Sequence, residues 1–412
     1  MKTLINGALL ATSLLMLGCG GSGVKPGALL GEAKVFEQTS QEVHTLLDGG
    51  IIDANTTVFG YTAYKITYMT TDEKGYNVEA SGLMTIPVGL PEQITEGIGL
   101  SIVSDDHGTI FANDEAPTPK AVAGSVDTPL IFTALSGFVT LQPDYIGFGD
   151  SSDHYHPYVL KESLANATID FIKAARTFAQ EKGIKLNGQL FVTGYSEGGY
   201  AALATMEKIE KEGELNVTIA APMAGPYAMN EMAMGVLSQD YLSVPSFMAD
   251  IGYAYAKTYD KELTEVINEP YASKLSVLFD GNYTRTQIDA NLTYLTTGTD
   301  GLFNPLLVQA FFTDPDNWFK QAMLENNVHT WAPQTQVKLV HCQGDDVIPF
   351  AIAQLAADTM IRAGAVDVSI VPVEATLTGD DTVQWGHGAC ALPAYQVAAG
   401  LFVEARQRLY HY

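Results

Sequence analysis

Leu190-Phe191-Val192-Thr193-Gly194-Tyr195-Ser196-Glu197-Gly198-Gly199 is the stretch that decides how this chain folds. An apolar run leads into glycine, Ser196 follows, and helical spacing begins at Gly199. That pattern predicts a buried strand, a tight turn with Ser196 at its tip, and then a helix. The flanking glycines let the backbone crowd into the turn, which lifts the serine hydroxyl out of the sheet. The helix N-terminus adds positive potential and unsatisfied N–H groups. A hydroxyl so placed becomes a nucleophile only when a base stands beside it, and otherwise Ser196 is an ordinary turn residue.

Two partners follow in the chain. Val337-Lys338-Leu339-Val340-His341-Cys342 reads as a strand that runs into Gln343-Gly344-Asp345-Asp346, before helical spacing from Phe350. Asp345 sits just past the strand end, and Asp346 competes for the same role. A further apolar run over 366–371 precedes Gln384-Trp385-Gly386-His387-Gly388, where the glycines predict an exposed loop. In such a set His387 takes the Ser196 proton and returns it to a leaving group. The acid holds the imidazole in one tautomer and stabilises the imidazolium.

With 412 residues, 47% of them hydrophobic, the chain has enough apolar surface for a large core, and a charged fraction of 17% argues against disorder. A net charge of −25 excludes nucleic acid as a partner, because a phosphate backbone would be repelled. Met1-Lys2-Thr3 followed by apolar residues to Leu17 reads as a signal peptide over 1–18, too short for a permanent membrane span. Its end, Leu15-Met16-Leu17-Gly18-Cys19, resembles a bacterial lipobox with Met16 in place of the usual leucine. Residues 19–26 would then be a lipidated Cys19 and a flexible tether that anchors the exported chain to a membrane. An ordinary secretory signal is the alternative. Cys342 and Cys390 lie three residues before Asp345 and three after His387. If those loops meet, a Cys342–Cys390 disulfide would tie them together; two buried thiols are the other possibility.

Residues 64–69 and 77–84 alternate around Asp72-Glu73-Lys74-Gly75 and predict an antiparallel hairpin. Before them, helical spacing around Val35-Phe36 and Val43-Leu46-Leu47 predicts a segment packed beside the sheet. Buried strands are expected at 98–103, 138–142, 189–193, 217–221, 337–342 and 366–371, and a long helix over 164–182 ending at Gly183. Strands alternating with helices imply a mostly parallel α/β sheet with its site at the strand C-termini. Between 227 and 333 no strand of comparable strength appears, while aromatic and Met residues are dense. That segment reads as a helical cap inserted between core halves at 27–226 and 334–412.

Together with Gln142-Pro143-Asp144-Tyr145-Ile146-Gly147-Phe148-Gly149 and His156-Pro157-Tyr158, these strings make the chain similar to the α/β-hydrolase superfamily over nearly all of its mature length. Within it, the chain resembles bacterial esterases related to the secretory, lipase A-like lipases. His341-x-x-x-Asp345-x-Val347-Ile348-Pro349 resembles the superfamily's acid loop, which favours Asp345 over Asp346. The resemblance implies a carboxylic ester substrate, an acyl-enzyme, and no cofactor. It makes the Glu197 N–H one oxyanion donor. For the second, His107-Gly108 resembles the superfamily's His-Gly element and points to the Thr109 N–H. The secretory lipases place an aspartate in this region, which keeps Asp106 open. Asp105 and Asp106 are otherwise expected to cap a turn or pair with a base. Asp153-His154-Tyr155-His156 has no third ligand at helical or hairpin spacing, so no metal is expected. A serine peptidase on the same scaffold and a non-catalytic surface lipoprotein are the rival readings, and the oligomeric state stays open.

Overall fold

The apolar run before Ser196 forms the strand Leu186–Tyr195, an inner strand of a nine-stranded sheet. Its side chains alternate between two packed faces, as the pleat requires. Leu190 and Val192 join a core shared with the helices Lys161–Glu181 and Glu197–Glu212. Phe191 and Tyr195 face the other way, against Tyr395 and Phe402 of the helix His387–Arg408. A strand buried on both faces reads as an almost continuous apolar run, and this one does.

The computed structural model describes residues 23–47, 56–124 and 130–408. The predicted signal peptide and Cys19 lie outside the described residues. In chain order the strands are β1 (Leu29–Gln38), β2 (Gly60–Thr71), β3 (Asn77–Val88), β4 (Leu100–Asp106), β5 (Val139–Pro143), β6 (Leu186–Tyr195), β7 (Ile219–Met223), β8 (Val337–His341) and β9 (Val368–Pro372). They lie side by side as β1-β2-β3-β5-β4-β6-β7-β8-β9. The β1/β2, β2/β3 and β3/β5 pairs are antiparallel, and every pair from β5 through β4 to β9 is parallel. The fold is therefore an α/β-hydrolase sheet, with the C-terminal ends of its parallel strands on one rim.

Most of the predicted elements are present. The hairpin is β2 and β3, and the long helix runs Lys161–Glu181 before Gly183, at φ +69°. Phe171 on that helix stacks on Tyr68 of β2, and Phe178 packs at a tilt against Tyr64. One expectation is corrected: Val35-Phe36 lies in β1, which pairs with β2 at the sheet edge, and only Ser40–Leu47 is helical. The edge strand is half exposed, so its apolar residues are too irregularly spaced to signal a strand. Between β7 and β8 the chain forms six short α-helices, from Met229–Leu237 to Trp318–Glu325, and contributes no strand to the sheet.

Candidate active site

Ser196 adopts φ 61° and ψ −120°, a conformation that L residues avoid at a cost of about 1–3 kcal/mol. Its N–H donates to the Met223 carbonyl of β7 at 3.0 Å, and the helix Glu197–Glu212 starts immediately after it. Gly198 is required by contact: a Cβ there would sit 1.8 Å from the Asp106 carbonyl oxygen. The turn is thus pressed against the end of β4, and the hydroxyl is pushed toward the cap.

The fold brings Asp345 and His387 to this point from the ends of β8 and β9. Ser196 Oγ lies 2.9 Å from His387 Nε2, and His387 Nδ1 lies 2.7 Å from Asp345 Oδ2. With its proton on Nδ1, His387 donates to the carboxylate and presents a lone pair to the serine hydroxyl. Asp345 Oδ1 accepts the N–H groups of Val347 and Ile348 at 3.0 and 2.8 Å, and its side chain is wholly buried. Burial by itself would raise the Asp345 pKa, but hydrogen bonds from His341 and His387, the His387 charge and the Ile348 N–H overcome it. The carboxyl is held well below the usual carboxylate range.

Asp346 takes a different part. Its Oδ1 accepts the His387 N–H at 2.8 Å, at the start of the helix His387–Arg408. His387 is therefore the first residue of a helix rather than part of an exposed loop, which corrects the sequence expectation. Three further groups lock this corner, and two of them, Tyr195 and Glu374, carry no signal of that role in the sequence. Tyr195 Oη donates to the His387 carbonyl at 2.6 Å. Glu374, fully buried just after β9, accepts N–H bonds from Gln343 at 2.9 Å, Gly344 at 3.2 Å and Trp385 at 3.1 Å. His341 donates from Nε2 to the Ile348 carbonyl at 2.9 Å and stands 3.3 Å from Asp345 Oδ2. Only His341 had a readable signal, its position four residues before Asp345.

Cys342 and Cys390 form a disulfide across the same corner, with Cα atoms 6.1 Å apart and a sequence separation of 48. Closing a loop of this length contributes about 4 kcal/mol in the chain-entropy limit. Replacing both residues by serine is therefore expected to lower Tm. It should also reduce kcat more than it raises KM, since the bridge ties β8 to the helix that carries His387 and touches no apolar cavity wall. Paired thermal melts and steady-state kinetics check this; an unchanged kcat would show that Glu374 and Asp346 suffice.

The loop after β4 lies directly against Ser196. A Cβ on Gly108 would stand 2.9 Å from the Tyr195 carbonyl and 3.6 Å from Ser196 Cβ. Asp105 and Asp106 belong to the strand itself and not to the turn after it. They end β4 fully buried. Asp105 accepts from Gln142 Nε2 and Tyr395 Oη, each at 2.9 Å, and Asp106 accepts from Thr168 Oγ1 at 3.1 Å. Burial raises the Asp106 carboxyl far above its ordinary pKa, against the Thr168 hydrogen bond.

His156 has a partner at each ring nitrogen. Its Nε2 lies 2.8 Å from Glu197 Oε1, and its Nδ1 donates to the Ile146 carbonyl at 2.8 Å. Burial disfavours its imidazolium, but the charge and hydrogen bond of Glu197 prevail and raise its pKa. From the helix Pro245–Thr258, Asp250 approaches the same pair, and burial pushes its carboxyl up to about 8. Among the described residues no cluster of three His, Cys, Asp or Glu could hold a metal ion.

Two cavities meet at Ser196. The first, about 280 Å³, is walled by apolar side chains of the β7–β8 insertion, including Met229, Val236, Leu242 and Met248, and reaches Ser196 and Glu197. The second, about 330 Å³, is bounded by Gly108, Thr109, His387 and several polar side chains. Thr109 lines the second cavity, whereas Asp106 lines neither. Phe247 borders both.

The chain matches the secretory lipase family over residues 116–384. Among solved structures, the rice cell wall degrading esterase LipA from Xanthomonas oryzae is 27% identical with a TM-score of 0.78, over 93% of this chain and 98% of that one. Candida antarctica lipase A in its closed state, at 14% identity and a TM-score of 0.64 over 91% of this chain and 83% of that one, shares the fold. No curated protein sequence matches. A family match across nearly two thirds of the chain, on a sheet that carries Ser196 at its strained turn, means that this protein belongs to the secretory lipase family and is a carboxylic ester hydrolase.

Proposed function

We propose that the protein is an exported serine esterase that cleaves short-to-medium acyl or aromatic esters through an acyl-enzyme on Ser196. The observation that carries this reading is the unbroken run of contacts Ser196 Oγ to His387 Nε2, 2.9 Å, and His387 Nδ1 to Asp345 Oδ2, 2.7 Å, at the base of an apolar cavity. Ser196 attacks the ester carbonyl as His387 takes its proton, and Asp345 steadies the imidazolium. The Glu197 N–H, at the helix N-terminus, is one oxyanion donor. The Thr109 N–H is the second, because its loop borders the second cavity at Ser196 while Asp106 lies inside the fold. The segment 227–333 acts as a cap whose Met, Val and Leu side chains receive the acyl chain.

Export is supported by the family and by the Met1–Cys19 pattern, with lipid on Cys19 as the anchor to a membrane. Among the described residues no helix is long and apolar enough to cross a membrane.

Hydrolysis of p-nitrophenyl esters beside aminoacyl p-nitroanilides tests the reading. Each methylene that enters the cavity contributes about 0.8 kcal/mol, roughly fourfold in kcat/KM, so the rate should climb steeply from acetate to the middle chain lengths. Val236→Trp should shift the optimum to shorter chains by filling the cavity. Faster cleavage of the anilides would favour a peptidase, and a flat chain-length profile would place the acyl group elsewhere.

A further inference from the structure

An ester has two halves, and the position of His387 decides which cavity takes which. The leaving oxygen must collect its proton from His387 Nε2, so the alcohol departs on the side of Ser196 that His387 occupies. His387 borders the second cavity and does not border the apolar one. The acyl chain therefore belongs to the apolar cavity, and the alcohol to the second.

The walls of that second cavity are chemically specific. Lys120 approaches from the helix Pro117–Val122 on the core side, and Arg285 from the start of the short helix Arg285–Asp289 in the insertion. The one acidic side chain among its lining residues, Glu115, is already committed: its Oε2 accepts the N–H groups of Phe111 at 3.0 Å and Ala112 at 2.9 Å. Gln142 likewise donates its amide to Asp105. Arg285 is one of five arginines in a chain with 47 acidic and 22 basic residues. In such an excess of carboxylates a cation readily finds a partner, yet among the described residues no ion pair joins Arg285 to one. An arginine kept out of ion pairs at the rim of the leaving-group cavity is free to meet an anion brought by the substrate.

We propose that the second cavity binds the alcohol half of the ester and that Arg285 selects alcohols bearing an anionic group such as a carboxylate. This inference rests on the esterase reading above. The acidic surface would by itself repel such substrates, so any preference for them must come from the cavity.

The test compares the butyrate esters of 3-hydroxybenzoate and 3-hydroxybenzamide, two phenols of similar leaving ability, one anionic and one neutral. The readout is the ratio of their kcat/KM values within each protein, so a loss of folded enzyme cancels. The wild type should favour the anionic ester by roughly fivefold at low salt, the upper end for an exposed charge pair, and the ratio should fall as salt screens it. Arg285→Gln should bring the ratio to one or below, and Arg285→Lys should keep part of the preference. A wild type without preference, or Arg285→Gln with the preference intact, overturns the assignment of Arg285 while leaving the esterase reading standing. Failure to hydrolyse either ester, with no fluorophosphonate labelling of Ser196, would instead overturn the esterase reading on which the inference rests.

Discussion

Ser196→Ala is expected to lower kcat on any ester by about 10⁴-fold or more and to abolish covalent labelling by a fluorophosphonate. The substitution removes the attacking oxygen and nothing that holds the fold. The positive φ of Ser196 is imposed by the crowding of Gly198 against β4 and by the N–H bond to Met223, and neither involves the hydroxyl. Tm should therefore change little. Alanine leaves the Thr109 and Glu197 N–H groups in place, so a weak residual hydrolysis by water, far below the wild type, is expected. Labelling of another serine, or turnover within tenfold of the wild type, would remove Ser196 from the mechanism.

Asp345→Asn is the second large effect, with an expected loss of about 10⁴ in kcat. An asparagine amide offers an N–H where His387 needs an acceptor, so the imidazole turns to its other tautomer and no longer presents a lone pair to Ser196. The neighbouring Asp346→Asn keeps an amide oxygen to accept the His387 N–H and loses only the charge at the helix start, for a cost of about 0.3–1 kcal/mol in stability and at most a few-fold in rate. The opposite ranking would move the acid role to Asp346. Asp345→Asn also carries a pH signature. The folded state holds the Asp345 carboxyl below its ordinary pKa, so it contributes stability above about pH 4 that disappears as the pH falls through its folded value. The variant should lose that part of the acid-side pH dependence, which melts between pH 3 and 7 would show.

Much of this protein is legible in one dimension because its core strands are buried on both faces. Leu190 to Val192, Val337 to Val340 and the helix around Phe171 carry runs and spacings that only one kind of element satisfies. β1 is not legible, because a half-exposed edge strand needs few apolar residues and Val35-Phe36 can suit either a helix or a strand. Glycines on both sides of His387 suit a loop, yet the Asp346 carboxylate caps its N–H and a helix starts there.

From the sequence alone come the strand-turn-helix that carries Ser196, the chain order of serine, acid and histidine, and the mainly helical character of the segment between β7 and β8. Each depends on local spacing and backbone preference, which a sequence records directly. Only the tertiary structure separates Asp345 from Asp346 by contact, one at His387 Nδ1 and the other at its N–H. It alone shows the buried Glu374 joining two loops, and the two cavities that meet at Ser196, one walled by apolar side chains and one bordered by Lys120 and Arg285. Those facts arise between residues far apart in the chain. They exist once burial has removed water as the competing partner and left each polar group to the neighbour the fold supplies.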